Sequence, residues 1–425
     1  MKIVSGAEHA RIAKMLRAGW MAPEGVAEIV AEILADVRAR GDAAVVECAR
    51  RFDDERFDIS KLRVAIPMHE GARSLVSHES AEALETARER IARFHERQRR
   101  ADLSYAEEDG TRYGLNQRPL ESIAAYAPAA SAIAVLASVV PAKIAGVSRI
   151  VVLAAPDARG HVHPSVLYAC SMCGVDELYA VGGAQAIGAA AFGTESIAPV
   201  EKIVGPGGVW VTEAKRQVFG RCGIDGLAGP SEMLVVADDG ANSEFVAGEL
   251  LAVAEQDPRA ALAVVSESRS LLDAVAQLID TLEVKTLPRG ETIAHVLERN
   301  CHLVHASTRE EVFEVIDRFA PAALSLQVRD AAAYLPRIRR AGIVYVGDLT
   351  PASSGTFLSG TNSVLPTSGT SRFSSGLSLR DFVHSFAVLE NSAERMSGDA
   401  HAVAELAELE GLSQHAQAAR MRVGG

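Results

Sequence analysis

The pattern of hydrophobic and polar positions changes character along the chain. Residues 23–50 and 79–99 carry apolar side chains at helical spacing with charged outer faces, which predicts amphipathic helices. Tyr105 to Leu120 is mixed and reads as a strand-and-turn region. Beyond it, short β-type runs alternate with alanine-rich helical segments. Strands are predicted at Ile150–Ala154, Glu177–Val181, Lys202–Val204, Met233–Ala237 and Leu262–Ser266, with helices at Gln185–Ala191, Val209–Phe219 and Ser243–Gln256. Asn242 or Ser243 would cap the last of these, and Pro258 stands just past its end. The alternation resumes with a strand at His302–Ala306, a helix at Arg309–Phe319, and strands at Ala323–Val328 and Ile343–Gly347.

Such alternation predicts an α/β fold of doubly wound, mostly parallel sheets. We expect two such domains with small helical appendages. The first takes residues 1–125, with the N-terminal helices, and 236–380; the second takes residues 126–235. Residues 381–425 form a helical tail that packs on the body or on a partner subunit. Pro351–Gly376 is rich in Ser, Gly and Thr but punctuated by Phe357, Leu365 and Phe373, so it reads as an ordered loop system of the kind that carries function.

Composition narrows the class. The 425 residues suffice for two domains of ordinary size, and 48% hydrophobic with 23% charged residues is normal for a globular protein with large cores. No apolar run approaches the roughly 20 residues of a membrane span. The start, MKIVSGAEHARIAK, lacks a signal-peptide core, so a cytoplasmic location and no membrane partner are expected. A net charge of −12 without a basic block disfavours nucleic acid. The five cysteines are odd in number, which argues against a disulfide framework. Cys170 and Cys173 make a CxxC, but SVLYACSMCGVDEL reads as a buried helix ending at Gly174, and core thiols are the simpler reading than a metal or redox pair.

Some local motifs could carry chemistry. Ile203–Gly208 (IVGPGG) lies between a strand and a helix, where glycines let backbone approach a ligand and a helix N-terminus favours anions; a tight turn alone explains it equally well. Gly229–Glu232 (GPSE) offers Ser231 as a hydrogen-bonding group at a strand entrance, although a serine in a turn is more often structural. His161 and His163 read as surface-loop residues. His302 and His305 lie on a strand without an obvious carboxylate partner, and His415 on the tail. No HExxH or paired CxxC pattern occurs.

Several longer blocks occur in order: FHERQ (Phe94–Gln98), PAKIAGV, GGAQAI (Gly182–Ile187), GTES, AKRQVFG (Ala214–Gly220), GIDGLAGPSE (Gly223–Glu232), LPTSGTSRFSSGLS (Leu365–Ser378) and EGLSQH (Glu410–His415). With them the chain resembles the histidinol dehydrogenases, zinc- and NAD-dependent enzymes of histidine synthesis, over nearly its whole length. The resemblance implies two related α/β domains, small appendages from the two ends and an intertwined homodimer.

The same resemblance places functional positions. The family's zinc ligands, in QAEH, GDY and a C-terminal His, fall on Val253, Gln256, Thr356 and His415, of which only His415 keeps its type. The Glu and His of its PEHLE motif fall on Ala322 and Ala323, and a further His falls on Ser363. Tyr126 and Gln185 match NAD contacts, whereas a third contact is Gly208 and a glycine pair is Ala129–Ala130. Ser231, Glu410 and His415 match substrate contacts, the last two reaching a neighbouring subunit's site. Side chains without donor atoms neither hold a cation nor move a proton. The reading from sequence is therefore that zinc is absent, that NAD binding is disfavoured but open, and that no catalytic residue is retained. On it, the protein does not perform the usual oxidation of L-histidinol. A zinc-independent NAD-linked dehydrogenase of another small alcohol or aldehyde, or a non-catalytic binding or regulatory homologue, stand as its alternatives, and an ordinary histidinol dehydrogenase ranks last.

Overall fold

The computed structural model describes residues 3–5, 23–175 and 177–423, and the N-terminal segment weighed above as an export signal lies mostly outside them. The chain divides into two compact units, Met1–Gln98 with Leu120–Asp381, and Arg99–Pro119 with Phe382–Gly425.

The larger unit holds two parallel sheets. Its elements begin with β1 (Ile3–Ser5) and the helices α1 (Val26–Arg40), α2 (Asp42–Phe52) and α3 (His78–Glu96). The single helical stretch expected over residues 23–50 is broken at Gly41. That residue has φ +56°, a side chain there would strike the Glu195 carboxylate, and the following Asp42 N–H donates to Glu195 Oε2 at 2.7 Å.

Next come β4 (Ser122–Ala127), α4 (Ala132–Ala145), β5 (Arg149–Ala154), α5 (Pro164–Met172), β6 (Glu177–Ala180), α6 (Gly183–Phe192), β7 (Lys202–Val204), α7 (Val209–Val218) and β8 (Gly223–Ile224), where β2 and β3 belong to the smaller unit. Their sheet has the order β6-β5-β4-β7-β8. The chain first winds outward from β4 through β5 to β6, then crosses back to place β7 on β4's other side. The crevice outside the carboxyl ends of β4 and β7 is thus a topological switch point, the usual ligand position in open α/β sheets.

The second sheet contains β9 (Glu232–Ala237), β10 (Ala261–Ser266), β11 (Cys301–His305), β12 (Ala323–Gln327) and β13 (Ile343–Val346), in the order β1-β11-β10-β9-β12-β13 with every pairing parallel. Helices α8 (Ser243–Ala254), α9 (Arg269–Thr281) and α10 (Gly290–Arg299) share one core with it, and α11 (Arg309–Phe319) covers the other face. Asn242 caps α8, accepting from the Glu244 N–H at 2.9 Å. β9 and β4 are buried at every position, as strands covered on both faces should be.

The N-terminal helices, expected beside the sheet of residues 236–380, pack elsewhere. Val30, Leu34 and Val37 of α1 and Ala44 and Val45 of α2 enter one core with Ala186, Ile187 and Ala190 of α6. Gly188 permits the approach, since a side chain there would press on Leu34 and Val37. Cys170 is buried at the end of α5 and Cys173 is half-buried just past it; burial pushes the Cys170 thiol above its ordinary value, which suits a core thiol.

The smaller unit is an antiparallel sheet, β14-β3-β2, of β2 (Leu103–Ala106), β3 (Arg112–Pro119) and β14 (Val383–Glu390), with helices α12 (Ala393–Leu409) and α13 (Ser413–Arg420). The tail therefore contributes a strand as well as helices. No helix among the described residues is long and apolar enough to cross a membrane.

Candidate active site

A cavity of about 360 Å³ lies within the larger unit. One wall comes from the carboxyl edge of the five-stranded sheet, through Ser131, Ile133 and Ala134 at the start of α4 and Pro206 after β7. The opposite wall comes from the amino edge of the six-stranded sheet, through Glu232 and Met233 of β9 and Ala322 and Ala323 at the entrance of β12. Ala252, Val253, Glu255 and Gln256 at the end of α8 close one side, and Thr356, Ser363, Leu365 and Thr367 of the long loop system close the other.

The structure thus gathers Ser231, Val253, Gln256, Ala322, Ala323, Thr356 and Ser363 around one space. Ser231 Oγ donates to Gln256 Oε1 at 2.5 Å, tying the strand entrance to the helix end. Thr367 holds the same strand entrance in place. Its hydroxyl accepts from the Gly229 N–H at 2.8 Å and donates to the Leu227 carbonyl at 3.0 Å. Ser368 N–H donates to Glu232 Oε1 at 2.5 Å.

Two groups near this cavity escape a reading by sequence. Tyr345 of β13 lines it together with Thr356, and burial pushes that phenol up to about 12 against the lowering effect of the threonine. Its ring lies over Gly355, where any side chain would collide with it. Glu249 sits one turn before Val253 on the same face of α8, is 5% exposed, and accepts the Ala352 N–H on both oxygens at 2.9 and 3.2 Å. Burial raises its carboxyl above the ordinary range, opposed by that N–H. A glycine ten residues after a strand tyrosine was the available signal for Tyr345; for Glu249 it was the spacing of 249, 252, 253 and 256 on one helix face.

Tyr126 and Gln185 meet at a neighbouring place, the turn between β6 and α6. Tyr126 is 4% and Gln185 2% exposed, and the Tyr126 hydroxyl accepts from the Gly183 N–H at 3.3 Å. Burial pushes the Tyr126 phenol up to about 12, the Gly183 N–H acting against it. Tyr126 lies in β4 and Gln185 in the first turn of α6, which follows β6 of the sheet whose switch point lies at β4 and β7. Gly208 caps α7 in extended backbone with nothing within 4 Å of where a side chain would begin, so the turn before this helix is open to an anionic group. Ala129 holds φ +38°, the left-handed region that glycine favours. The residues around this crevice fit a dinucleotide. Glu410 and His415 lie in the smaller unit, both exposed, at the end of α12 and the first turn of α13.

A family model for histidinol dehydrogenase matches residues 19–423. The chain belongs to the histidinol dehydrogenase family. It is 42% identical to the histidinol dehydrogenase of Mesorhizobium japonicum over 399 residues, covering 93% of this chain and 92% of that one. The enzyme of that name from Pseudomonas aeruginosa is 41% identical over 404 residues, covering 94% and 91%. The crystal structure of histidinol dehydrogenase from Elizabethkingia anophelis superposes with a TM-score of 0.88 at 31% identity, covering 94% and 93%. The chain is thus placed among oxidoreductases.

Membership of the histidinol dehydrogenase family corrects two expectations. Relatives sharing about 40% identity along nearly their whole length are named histidinol dehydrogenase, which overturns the reading of a homologue that has lost the family reaction. The expectation of absent zinc and disfavoured NAD falls on the same ground. The physical reason is that a register comparison reports what one position holds, not which neighbouring group serves in its place. The cavity's side-chain oxygens include the carboxylates of Glu232 and Glu255 and neutral groups such as those of Ser231, Gln256, Thr356 and Ser363. Among the described residues no three His, Cys, Asp or Glu side chains converge as a metal site. Zinc wants about four N, S or carboxylate donors; Glu232 and Glu255 are the carboxylates among the cavity's lining residues, and no step is drawn through a metal.

Proposed function

We propose that the protein is a histidinol dehydrogenase, oxidising L-histidinol with NAD as hydride acceptor, and that it acts as a cytoplasmic homodimer. The observation that carries this reading is identity near 40% over more than nine-tenths of both chains with proteins of that name. NAD, when bound, takes the hydride from the carbinol carbon. We place it at the β4–β7 crevice, with Tyr126 and Gln185 as its contacts and the Gly205–Gly208 turn beside its phosphates. The amino alcohol then occupies the adjoining cavity.

Within that cavity Ser231, Gln256 and the Tyr345–Thr356 pair supply hydrogen bonds to the substrate's oxygen. Glu255, exposed at its edge, offers a negative charge to the substrate's ammonium group. Glu410 and His415 are proposed as substrate contacts toward a neighbouring subunit. Ala322, Ala323 and Val253 contribute shape rather than donors.

Expression in a histidine auxotroph lacking the normal enzyme tests this reading. Growth without histidine is expected. Failure to grow, with the protein present in soluble form at the level of an active control enzyme, would overturn it.

A further inference from the structure

Lys215 and Asp225 form an ion pair buried at the heart of the five-stranded sheet's carboxyl edge, their side chains 1% and 2% exposed. Both partners are committed to one residue of the backbone. Lys215 Nζ donates to the Gly205 carbonyl at 2.9 Å, and the Gly205 N–H donates to Asp225 Oδ2 at 2.7 Å. The ammonium and the other carboxylate oxygen meet directly. Gly205 is thus gripped at its donor and its acceptor at once.

What lies on either side of Gly205 gives the grip a purpose. The residue has φ +109°, and a side chain on it would collide with the Tyr126 carbonyl. The ends of β4 and β7, the two strands of the switch point, therefore touch backbone to backbone here. The next residue, Pro206, lines the cavity. One residue joins the cofactor crevice to the substrate cavity, and a buried ion pair holds the peptide groups on both sides of it.

A stabilising contact alone would not call for charges. Removing two ions from water is costly, and apolar residues of similar volume often serve stability as well or better. What an ion pair closed around a peptide supplies is a single geometry.

We propose that Lys215 and Asp225 are positioning residues for the nicotinamide cofactor, holding the Gly205–Gly208 turn in its binding shape before the cofactor arrives. This rests on the functional reading above, and the experiment separates the two. The unsubstituted protein, K215M, and the double variant K215M/D225N are compared by thermal denaturation with and without NAD, and by steady-state kinetics with L-histidinol. K215M leaves a lone carboxylate buried and is expected to fold poorly. The double variant removes both charges, keeps an acceptor for the Gly205 N–H, and is expected to fold.

In the double variant KM for NAD should rise about tenfold or more while KM for histidinol stays within about threefold, and the thermal shift given by NAD should shrink in step. A double variant that melts and binds NAD as the unsubstituted protein does would reduce the pair to a structural contact and overturn the proposal. Amide exchange in the unsubstituted protein gives a readout independent of any variant: Gly205 should be protected without NAD. Fast exchange that slows only when NAD is added would contradict a preformed turn. Absence of both NADH formation and an NAD-induced shift in the unsubstituted protein would instead overturn the functional reading, and this inference with it.

Discussion

Two glycines of one turn should respond differently to the same methyl group. At Gly205, alanine meets two costs. Its φ of +109° is a conformation L-residues rarely adopt, and the new Cβ would collide with the Tyr126 carbonyl while lying 3.2 Å from that residue's nitrogen. The obstacle is main chain in a buried strand, which cannot swing aside. A strained backbone costs about 1–3 kcal/mol and overpacking typically about 1–3 kcal/mol more. Together they remove about 2–6 kcal/mol from a total native stability of about 5–15 kcal/mol. At Gly208, three residues on, φ is −68° and nothing lies within 4 Å of the new atom. Gly208→Ala should change stability by less than about 1 kcal/mol, the gain through the unfolded chain being offset by alanine's poorer fit at a helix cap. Urea denaturation followed by circular dichroism, with and without NAD, reads both variants. Gly205→Ala should shift the midpoint down and lose the NAD effect. A Gly205→Ala protein matching the unsubstituted one, or a Gly208→Ala protein damaged equally, would refute the geometry assigned to this turn.

Further outcomes follow from the cavity and its surroundings. Thr367→Val leaves the Gly229 N–H without its partner and should cost about 1–3 kcal/mol, and KM for histidinol should rise because Ser231 follows close behind; an unchanged KM would contradict that placement. Glu249 has a carboxyl raised above its ordinary 4.5 by burial, so its stabilising contribution is complete below that value and is lost as pH rises through the raised one. Glu249→Gln, with no charge to bury, should match the unsubstituted protein in denaturation midpoint at acid pH and exceed it at neutral pH; the reverse order would contradict the assignment. Ala129→Gly should relieve left-handed strain and change stability by no more than about 1 kcal/mol in the favourable direction, whereas a clear destabilisation would show that the alanine side chain packs productively.

The parts of the fold legible in sequence are those written in local pattern. Lys202–Val204 emerges at its expected limits because the glycine turn cuts it off, and Arg309–Phe319 because Thr308 caps it, accepting from the Glu311 N–H. Burial on both faces left the parallel strands as short apolar runs that alternation alone could order. The docking of α1 and α2 was not legible. Their apolar stripes say that they pack, but the choice of α6 rests on Gly188, whose missing side chain matters only once the partner is known. The strand β14 hid in the tail because seven of its eight residues are exposed, so no face stands out in its pattern.

Within the site, sequence placed seven positions that the fold gathers around one cavity. Taken singly, their missing donors imply a loss of chemistry that the relatives contradict. Tyr345, Glu249 and the Lys215–Asp225 pair went unseen because each acts through a contact made in space. Asp225 is a residue of a shared block, and only its closure on Gly205 gives it a part to play.

The most direct test of the account is the initial rate of NADH formation by the purified protein, supplied with zinc, NAD and L-histidinol, followed by absorbance. Steady production that depends on both substrates, and stops when either is left out, is the predicted result. No NADH above the protein-free rate, under conditions where an established histidinol dehydrogenase turns over, would contradict it.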